Sequence, residues 1–384
     1  MVMGGAPPVL AGLSSGLAAQ TDSSDFPQPC SPDSWEKRGI VLEPDQDWED
    51  QHIENFMSSV EPLDNGRWRI WYCANSPTKG YIGMAIAEGV PGEKMIKTRA
   101  VLSEDAPEDA PLAIGNVPKN WRLVCPTHIR LKNGRHRLYF FAEGRVHGKV
   151  AQRYLVAESD DGRRYRVLDH ERPVLYTVWD TTTNKKFHPG QKLEDVLTND
   201  GAVVYQLPDG TFEMYAQALE RIDEGDPRYV AHDNIKGSVR FIDRFTSEDG
   251  IKFSHRQRKV LAPDKLDPVD TQFYMLTVTH TPRGRVGLLG WYRVQAGYME
   301  LQYAYSKDGV HWDRVRQPWI KRGQPGEPDS VTIYQPTSMV YHEKKWWLFY
   351  PAVNYTHSTV EAAKPGETKR SVIMLATTPS LFKA

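Results

Sequence analysis

Residues 202–216, AVVYQLPDGTFEMYA, contain two runs of apolar or alternating residues on either side of an Asp-Gly pair. Such runs, rich in β-branched and aromatic residues and separated by a Gly-containing turn, predict a β-hairpin. The same pattern recurs at residues 126–142, PTHIRLKNGRHRLYFFA, around an Asn-Gly pair. A hairpin repeated along a chain is typical of propellers and other repeat architectures.

Three further copies bring the hairpin to five occurrences. They span residues 56–74, 273–291 and 336–350. The first of the three carries an Asn-Gly pair that predicts a two-residue turn. The second has a slightly longer turn, and in the third residues 342–344 replace the Gly turn.

A third strand follows each hairpin, and in three copies it ends in nearly the same turn. These turns are SDDG at 159–162, SEDG at 247–250 and SKDG at 306–309, and an aromatic residue follows each one. They resemble the Asp-box of sialidase-like propellers, in which the Asp caps the turn and the aromatic residue packs beneath it. We therefore expect their Asp residues to be structural and not catalytic.

A fourth strand ending in apolar residues follows at 99–102, 172–175, 258–261 and 316–320. Four strands per repeat make a propeller blade. The fifth copy ends with its third strand, residues 371–378, but residues 35–42, WEKRGIVL, match the outer-strand pattern. The sequence thus predicts an all-β fold, a five-bladed β-propeller closed by an N-terminal outer strand on the last blade. Residues 33–384 form this domain, and residues 1–32 are a tail or a signal-peptide remnant.

Composition restricts the partners. A net charge of −1 and a pI near 6.9 provide no field that would attract nucleic acid, and no apolar run approaches the ~18 residues of a membrane span. Three widely spaced cysteines form neither a metal motif nor a disulfide framework, so no chemistry is assigned to them. No cofactor is expected. A modest apolar stretch within residues 1–29 favours a secreted or periplasmic protein. A cytoplasmic protein is the alternative, because these residues lack the Lys and Arg of a signal peptide's positive n-region.

Candidate catalytic residues come from the loops that lead from one blade's outer strand into the next blade's inner strand. These loops cluster at one face of a propeller, which we call the mouth. Glu54, Asp200 and Asp270 fall at or next to the start of an inner strand. Carboxylates facing one pocket hold their pKa values apart, so that one is a general acid and another a base or nucleophile, as glycosidic bond cleavage requires. The alternative is that each acid is solvated or caps a turn.

Other residues near these acids have side chains that stack on sugar rings or hydrogen-bond hydroxyl groups. The predicted substrate-binding residues are Asp50, His52, Trp121, Arg122, His128, Tyr274, Asp329 and Gln335. His128 has two alternatives. It is either a core histidine with a satisfied ring nitrogen, or it lies beside a structural ion or water on the propeller axis.

Residues 305–312, YSKDGVHW, and 319–323, WIKRG, followed by Asp329 and Pro336, resemble the five-bladed propeller glycoside hydrolases, the group of families 32, 43, 68, 117 and 130. The resemblance covers roughly residues 35–384. It implies a glycosidase that cleaves an oligo- or polysaccharide.

In families 32 and 43 three acids, typically Asp, Asp and Glu, come from inner strands. Carried over, they fall on Glu54, with Asp50 as its rival, then on Asp200 and Asp270.

The residue types depart from the family order, and the Asn-Asp-Pro-Asn, Arg-Asp-Pro and Glu-Cys motifs are missing, which argues against sucrose or fructan activity. A glycoside phosphorylase like family 130 would need a basic phosphate cluster, for which Arg122, Lys185 and Lys186 are the candidates. The second alternative is a carbohydrate-binding propeller without catalysis, because a fold does not dictate a function.

Overall fold

The computed structural model describes residues 26–49, 52–54, 59–76, 81–102, 110–198, 201–357 and 371–383. Within these ranges nearly all regular structure is β. The short helical segments are two 3-10 turns, Pro32–Ser34 and Asp64–Gly66, and one α-helical turn, α1 (Leu193–Val196). No helix of the described ranges is long and apolar enough to cross a membrane.

The strands follow one another along the chain with short connections. They are β1 (Glu36–Leu42), β2 (His52–Glu54), β3 (Val60–Pro62), β4 (Trp68–Ser76), β5 (Tyr81–Gly89), β6 (Ile96–Arg99), β7 (Ala113–Gly115), β8 (Arg122–Arg130), β9 (His136–Val146), β10 (Lys149–Ser159), β11 (Arg164–Val167), β12 (Leu175–Thr177), β13 (Leu197–Thr198), β14 (Ala202–Gln206), β15 (Phe212–Arg221), β16 (Ser238–Ser247), β17 (His255–Leu261), β18 (Thr271–Thr281), β19 (Gly284–Arg293), β20 (Tyr298–Ser306), β21 (Asp313–Ile320), β22 (Thr332–Ile333), β23 (Val340–His342), β24 (Lys345–Val353) and β25 (Ser371–Thr378).

In the described part of the chain these strands form five hydrogen-bonded sheets. The first contains β2 to β6, the second β7 to β13, the third β14 to β17 and the fourth β18 to β21. The fifth contains β22 to β25 together with β1. The third and fourth sheets are plain antiparallel meanders, in which each strand pairs with the next one along the chain.

The second sheet departs from the predicted four-strand pattern. Two short strands, β11 and β12, both pair with β10, where one outer strand at residues 172–175 was expected. In addition, β11 pairs in parallel with β7, and β12 pairs in parallel with β13. The long connections before and after this sheet therefore add strands to its outer edge.

The fifth sheet brings the two ends of the described chain together. Strand β1 pairs antiparallel with β25, from Glu36 opposite Thr377 to Leu42 opposite Ile373. Just before β1, the backbone N–H of Cys30 donates to the carbonyl of Leu381 at 2.9 Å.

The hairpin loops differ from the predicted two-residue turn. At the Asn-Gly pair of the first sheet three residues, 64–66, separate Leu63 from Arg67, whose carbonyl accepts from the Leu63 N–H at 2.7 Å. Both Asn65 and Gly66 have positive φ. Two-residue loops with two positive φ values occur instead at His147-Gly148 in the second sheet and at Glu343-Lys344 in the fifth sheet, where there is no glycine.

The three Asp-box turns have the predicted structure. In the turn at 306–309, Asp308 Oδ1 accepts from the backbone N–H groups of Val310 and His311, each at 2.8 Å. The hydroxyl of Ser306 accepts from the Gly309 N–H at 2.7 Å. The turns at 159–162 and 247–250 repeat these contacts. Their Asp side chains thus accept hydrogen bonds from backbone groups of the turns, as expected.

A narrow cavity of about 120 Å³ is lined by one strand from each of the five sheets. The lining includes Val60 of β3, His128 of β8, Val204 of β14, Thr277 of β18 and Val340 of β23. Sheets arranged around a central channel, each contributing an inner strand, make an all-β propeller. Around the channel and between neighbouring sheets lie the buried aromatic and aliphatic residues of the core.

Candidate functional site at the propeller mouth

The mouth receives two sets of loops. Because consecutive strands of a meander run in opposite directions, the end of β15 and the start of β18 lie at the same end of the molecule. The connections between sheets lie there, and so do the loops between the second and third strand within a sheet. The second set includes residues 222–237 and the described residues 354–357, which follow β24.

Of the three predicted catalytic acids, Asp200 is not described, and only the backbone of Glu54 is described. Glu54 is the last residue of β2, and its backbone stands opposite Cys73 of β4. Asp200 lies outside the described residues, as does Asp50, and the side chain of His52 is likewise not described. The flanking residue Thr198 donates its hydroxyl to the carbonyl of Gln217 on β15 at 2.9 Å, which anchors the chain just before Asp200.

Asp270, the third predicted acid, lies directly before β18 and is buried. The Arg293 side chain reaches its Oδ1 with Nε at 2.9 Å and Nη2 at 2.7 Å. The backbone N–H of Gln295 donates to Oδ2 at 3.1 Å. Both carboxylate oxygens are therefore held by residues of the fourth sheet, and the negative charge is balanced by a guanidinium group.

A buried arginine lies between the third and fourth sheets at the mouth. The guanidinium of Arg240 on β16 makes a bidentate contact with Asp233, at 2.7 and 3.0 Å. The side-chain oxygen of Gln272 accepts from the same guanidinium. The Arg240 side chain is fully buried, and its Cζ lies 5.6 Å from the ring centre of Tyr274 and 5.5 Å from that of Tyr292. Paired and enclosed by aromatic rings, this cation is rigidly placed.

His357 adds a partly exposed imidazole to this cluster. Its ring lies 4.9 Å from the ring of Tyr274, 5.3 Å from that of Tyr292 and 5.6 Å from that of Tyr334, each in an edge arrangement. Its Nδ1 is 3.0 Å from the Tyr334 hydroxyl. We call Arg240, Tyr274, Tyr292, Tyr334 and His357 the mouth cluster. The predicted binding residue Tyr274 is part of it.

Trp179 offers an aromatic face to solvent near the mouth. Its side chain is 40% exposed, and the guanidinium carbon of Arg221, at the end of β15, lies 5.7 Å from the ring centre. An exposed indole beside a guanidinium group suits stacking on a sugar ring with hydrogen bonds to its hydroxyls. Neither residue was predicted.

Trp121 and Arg122 were both predicted to bind substrate. In the structure the two side chains differ in solvent exposure. Trp121 is buried in the core between the first and second sheets, and its ring fills the space beside Gly144. The Arg153 guanidinium lies 5.8 Å from that ring centre. Arg122 is partly exposed, with Nε 3.4 Å from Glu143. In this position Trp121 packs as a core residue, whereas Arg122 lies at the surface.

His128 lies on the axial channel. Its ring stacks between those of Trp71 and His136, and its Nε2 is 3.0 Å from His136 Nδ1. Burial, and then the positive charges of His136 and Arg69, lower the pKa of His128 to about 3. This matches the alternative of a core histidine with a partnered ring nitrogen.

Asp329 and Gln335 are both buried between the fourth and fifth sheets. Lys37 Nζ lies 2.6 Å from Asp329 Oδ2, and the Tyr350 hydroxyl donates to the same oxygen at 3.1 Å. The side-chain amide of Gln335 donates to the Leu288 carbonyl at 2.7 Å. The Gln335 side chain thus links the fifth sheet to the fourth, whereas both partners of Asp329 belong to the fifth sheet.

The basic residues proposed for a phosphate cluster each face a carboxylate. Lys185 Nζ is 3.3 Å from Asp180, and Lys186 pairs with Glu171. Among the described residues no group of three or more His, Cys, Asp or Glu side chains is placed to hold a metal ion.

His357 was missed because only the loops between sheets were considered as sources of site residues, whereas Arg240 and Tyr292 lie on strands β16 and β19 and had no local signal in the sequence. The length of its loop was the available signal for His357: residues 354–370 separate β24 from β25, just as residues 222–237 separate β15 from β16. Long polar loops at the end of a propeller carry function more often than tight turns do.

Comparison with family models and with curated proteins gives no match to this sequence. Solved structures do match over nearly the whole chain. One is described as a glycoside hydrolase, with a TM-score of 0.59 at 16% identity, covering 93% of this chain and 94% of that one. Another is a putative glycoside hydrolase from Parabacteroides distasonis, with a TM-score of 0.56 at 14% identity and coverages of 91% and 98%.

A third match is an N-acetylgalactosamine deacetylase from F. plautii in complex with blood group B trisaccharide, with a TM-score of 0.58 at 17% identity and coverages of 90% and 95%. At these identities the similarity defines the fold. The chain therefore has the propeller fold found in glycoside hydrolases, and the resemblance predicted from its sequence is confirmed at that level.

Proposed function

We propose that this protein is a glycoside hydrolase that cleaves an oligo- or polysaccharide at the mouth, with Glu54, Asp200 and Asp270 as its catalytic carboxylates. The proposal is supported by the inner strands β2, β14 and β18 of three sheets, which begin at the same end of the molecule as the mouth cluster. In the sequence, Glu54, Asp200 and Asp270 each lie within two residues of one of these strand starts. Tyrosine, histidine and tryptophan side chains beside carboxylates suit a sugar-binding site.

The proposal includes a five-bladed propeller in which β1 serves as the outer strand of the last blade. Five sheets that each line the axial channel support the blade number. The pairing of β1 with β25 supports closure, because it covers a strand edge that would otherwise be open.

The three acids have different proposed roles. Asp270 is fixed by Arg293, which balances its charge, and by the Gln295 N–H, so its proposed role is to orient the substrate and not to transfer a proton. Glu54 and Asp200 then share the work of general acid and of base or nucleophile. Asp50, His52, Tyr274 and Trp179 are the residues proposed to contact sugar.

An oligosaccharide screen tests the proposal. Plant and algal oligosaccharides are incubated with the wild type and with Glu54→Gln, Asp200→Asn and Asp270→Asn, and released sugars are measured by chromatography. Loss of a general acid or base lowers turnover by about 10²- to 10⁴-fold. Asp209→Asn, in an exposed hairpin turn of the third sheet, is the matched control and should keep full activity. Unchanged turnover in all three site variants would refute the assignment.

The same screen separates the alternatives. Binding without released sugar, measured by calorimetry, supports a carbohydrate-binding propeller. Phosphate-dependent release of a sugar phosphate supports a phosphorylase, a function weakened by the carboxylates that face Lys185 and Lys186. Release of acetate from N-acetylated sugars is also measured, because one protein with this fold is a deacetylase.

The proposed location, secreted or periplasmic, rests on the N-terminal apolar stretch. Intact-mass analysis of the protein isolated from its source tests it, because a processed N-terminus supports export.

A further inference from the structure

Two of the three cysteines lie against each other at the mouth. Cys73 is on β4 of the first sheet and Cys125 on β8 of the second. The backbone N–H of Cys125 donates to Sγ of Cys73 at 2.9 Å. Their side chains are both buried, in the core cluster that surrounds the axis. Fifty-two residues separate them in sequence, so only the fold brings them together.

Their spacing is compatible with a disulfide. A cysteine sulfur lies about 2.8 Å from its own Cα, and an amide nitrogen lies about 1.5 Å from its Cα. With 2.9 Å between Cys73 Sγ and Cys125 N, the two Cα atoms are at most about 7.2 Å apart, by summing these lengths. Disulfides span Cα separations of about 4.4 to 6.8 Å. Even if the two Cα atoms are as far apart as this maximum, a small backbone shift brings them within the range of disulfides.

The backbone at Cys125 is a place where such an adjustment is available. Its φ is 56°, in the left-handed region that favours glycine. The register of β8 against β9 is broken between Val124 and Thr127, so no ladder pair fixes Cys125 to β9. A residue at a bulge can reorient its side chain without disturbing the flanking pairs.

We propose that Cys73 and Cys125 form a redox pair that hydrogen peroxide closes into a disulfide joining the first and second sheets. One thiolate attacks the peroxide, whose O–O bond breaks to give a sulfenic acid and hydroxide. The second thiolate then attacks the sulfenic sulfur, forms the S–S bond and releases hydroxide. Two thiols are oxidised, one peroxide is reduced, and with the two thiol protons the products are one disulfide and two waters.

The pair lies beside the proposed catalytic residue Glu54, whose backbone faces Cys73 in the β2–β4 ladder. The redox inference is nevertheless independent of the proposed function, because its readout is the number of thiols and not enzyme turnover.

Cys30 provides an internal control. It is buried near the junction of the two chain ends, with Sγ 3.9 Å from the Thr378 hydroxyl. Cys30 belongs to a different core cluster from Cys73 and Cys125, so no second thiol lies beside it with which to close a disulfide within the chain. It should keep its thiol under conditions that oxidise the other two.

The experiment counts thiols in the full chain. The folded protein is treated with excess hydrogen peroxide, quenched, denatured, alkylated with N-ethylmaleimide and analysed by intact mass and peptide mapping. The wild type should take one adduct after peroxide and three after added dithiothreitol, since the chain has three cysteines. Cys30→Ser should take no adduct after peroxide and two adducts after added dithiothreitol. Cys73→Ser and Cys125→Ser should form no disulfide within the chain after peroxide, because a sulfenic acid on the remaining cysteine has no second thiol to attack it.

Three results would overturn the proposal. They are retention of all three alkylatable thiols after peroxide, sulfinic acid at Cys73 or Cys125 in place of a bond between them, and a disulfide that maps to Cys30 or joins two chains. Because the wild type alone distinguishes these results, the test does not depend on the folding of the serine variants.

Discussion

The carboxylate of Glu213 on β15 is held by the guanidinium of Arg285 on β19, a contact that joins the third sheet to the fourth. Arg285 Nε lies 2.8 Å from Oε1 and Nη2 lies 3.1 Å from Oε2. Arg244 adds two hydrogen bonds to Oε2, and His280 Nε2 lies 2.7 Å from Oε1. The Glu213 side chain is fully buried.

Glu213 should make the protein sensitive to acid. Burial opposes its ionisation, but hydrogen bonds from His280 and Arg285 and the charge of Arg285 outweigh burial and lower its pKa from 4.5 to about 2. A lowered carboxylate pKa contributes stability that is present above the unfolded value of 4.5 and is lost as pH falls towards 2. A shift of this size corresponds to about 3 kcal/mol.

The test is urea unfolding between pH 6 and 3 for the wild type and Glu213→Gln. The variant should lose roughly 3 to 5 kcal/mol at pH 6, because it leaves buried guanidinium groups without their carboxylate, and should show a shallower acid dependence. Glu343→Gln, an exposed acid, is the control. Equal acid dependence in wild type and Glu213→Gln would contradict the prediction.

His128 should contribute a second pH dependence, at higher pH. Its pKa is lowered from 6.5 to about 3, mainly by burial, so the folded protein keeps the ring neutral while the unfolded chain binds a proton. Full stability is therefore present above pH 6.5 and falls below it by about 1.4 kcal/mol per pH unit. His128→Asn should remove this component of the slope between pH 6.5 and 4.5. His147→Asn, at an exposed turn, should leave it unchanged, and a slope that survives His128→Asn would exclude His128 as its source.

The Gly144 position should not accept even one methyl group. A Cβ there would lie 2.0 Å from Cδ1 of Trp121, whose ring is buried. Overpacking of this kind costs about 1 to 3 kcal/mol. We expect Gly144→Ala to lower the free energy of unfolding by that amount in urea titrations. Gly225→Ala, where a Cβ would meet open space, is the matched control. If the two variants are equally stable, Trp121 does not occupy the core position described.

A substitution in the turn at Glu343-Lys344 should stabilise the protein. Both residues have positive φ, 49° and 63°, which costs non-glycine residues about 1 kcal/mol each. Lys344→Gly should therefore raise the free energy of unfolding by roughly 0.5 to 1 kcal/mol. Gly210→Ala, at φ 97°, should lower it by a similar amount. A rise in stability for Gly210→Ala or a fall for Lys344→Gly would contradict this account.

The sequence by itself determined the repeated hairpins and the Asp-box turns, because both depend on contacts between residues that are close along the chain. Asp308 bonds to backbone groups two and three residues away, so residues 306–309 suffice to predict its role. Alternating strands between turn residues likewise predict β-structure without knowledge of the partner strand. For the same local reason, the propeller class could be predicted from the repeat.

Only the tertiary structure decided which side chains meet at the mouth and which are buried. Arg240, Tyr274 and His357 come from different strands and loops, and Trp121 lies in the core although it stands in a polar loop. Such contacts depend on how the sheets pack around the axis, and sequence spacing carries no information about that. Cys73 and Cys125 meet for the same reason, since their hydrogen bond joins two sheets.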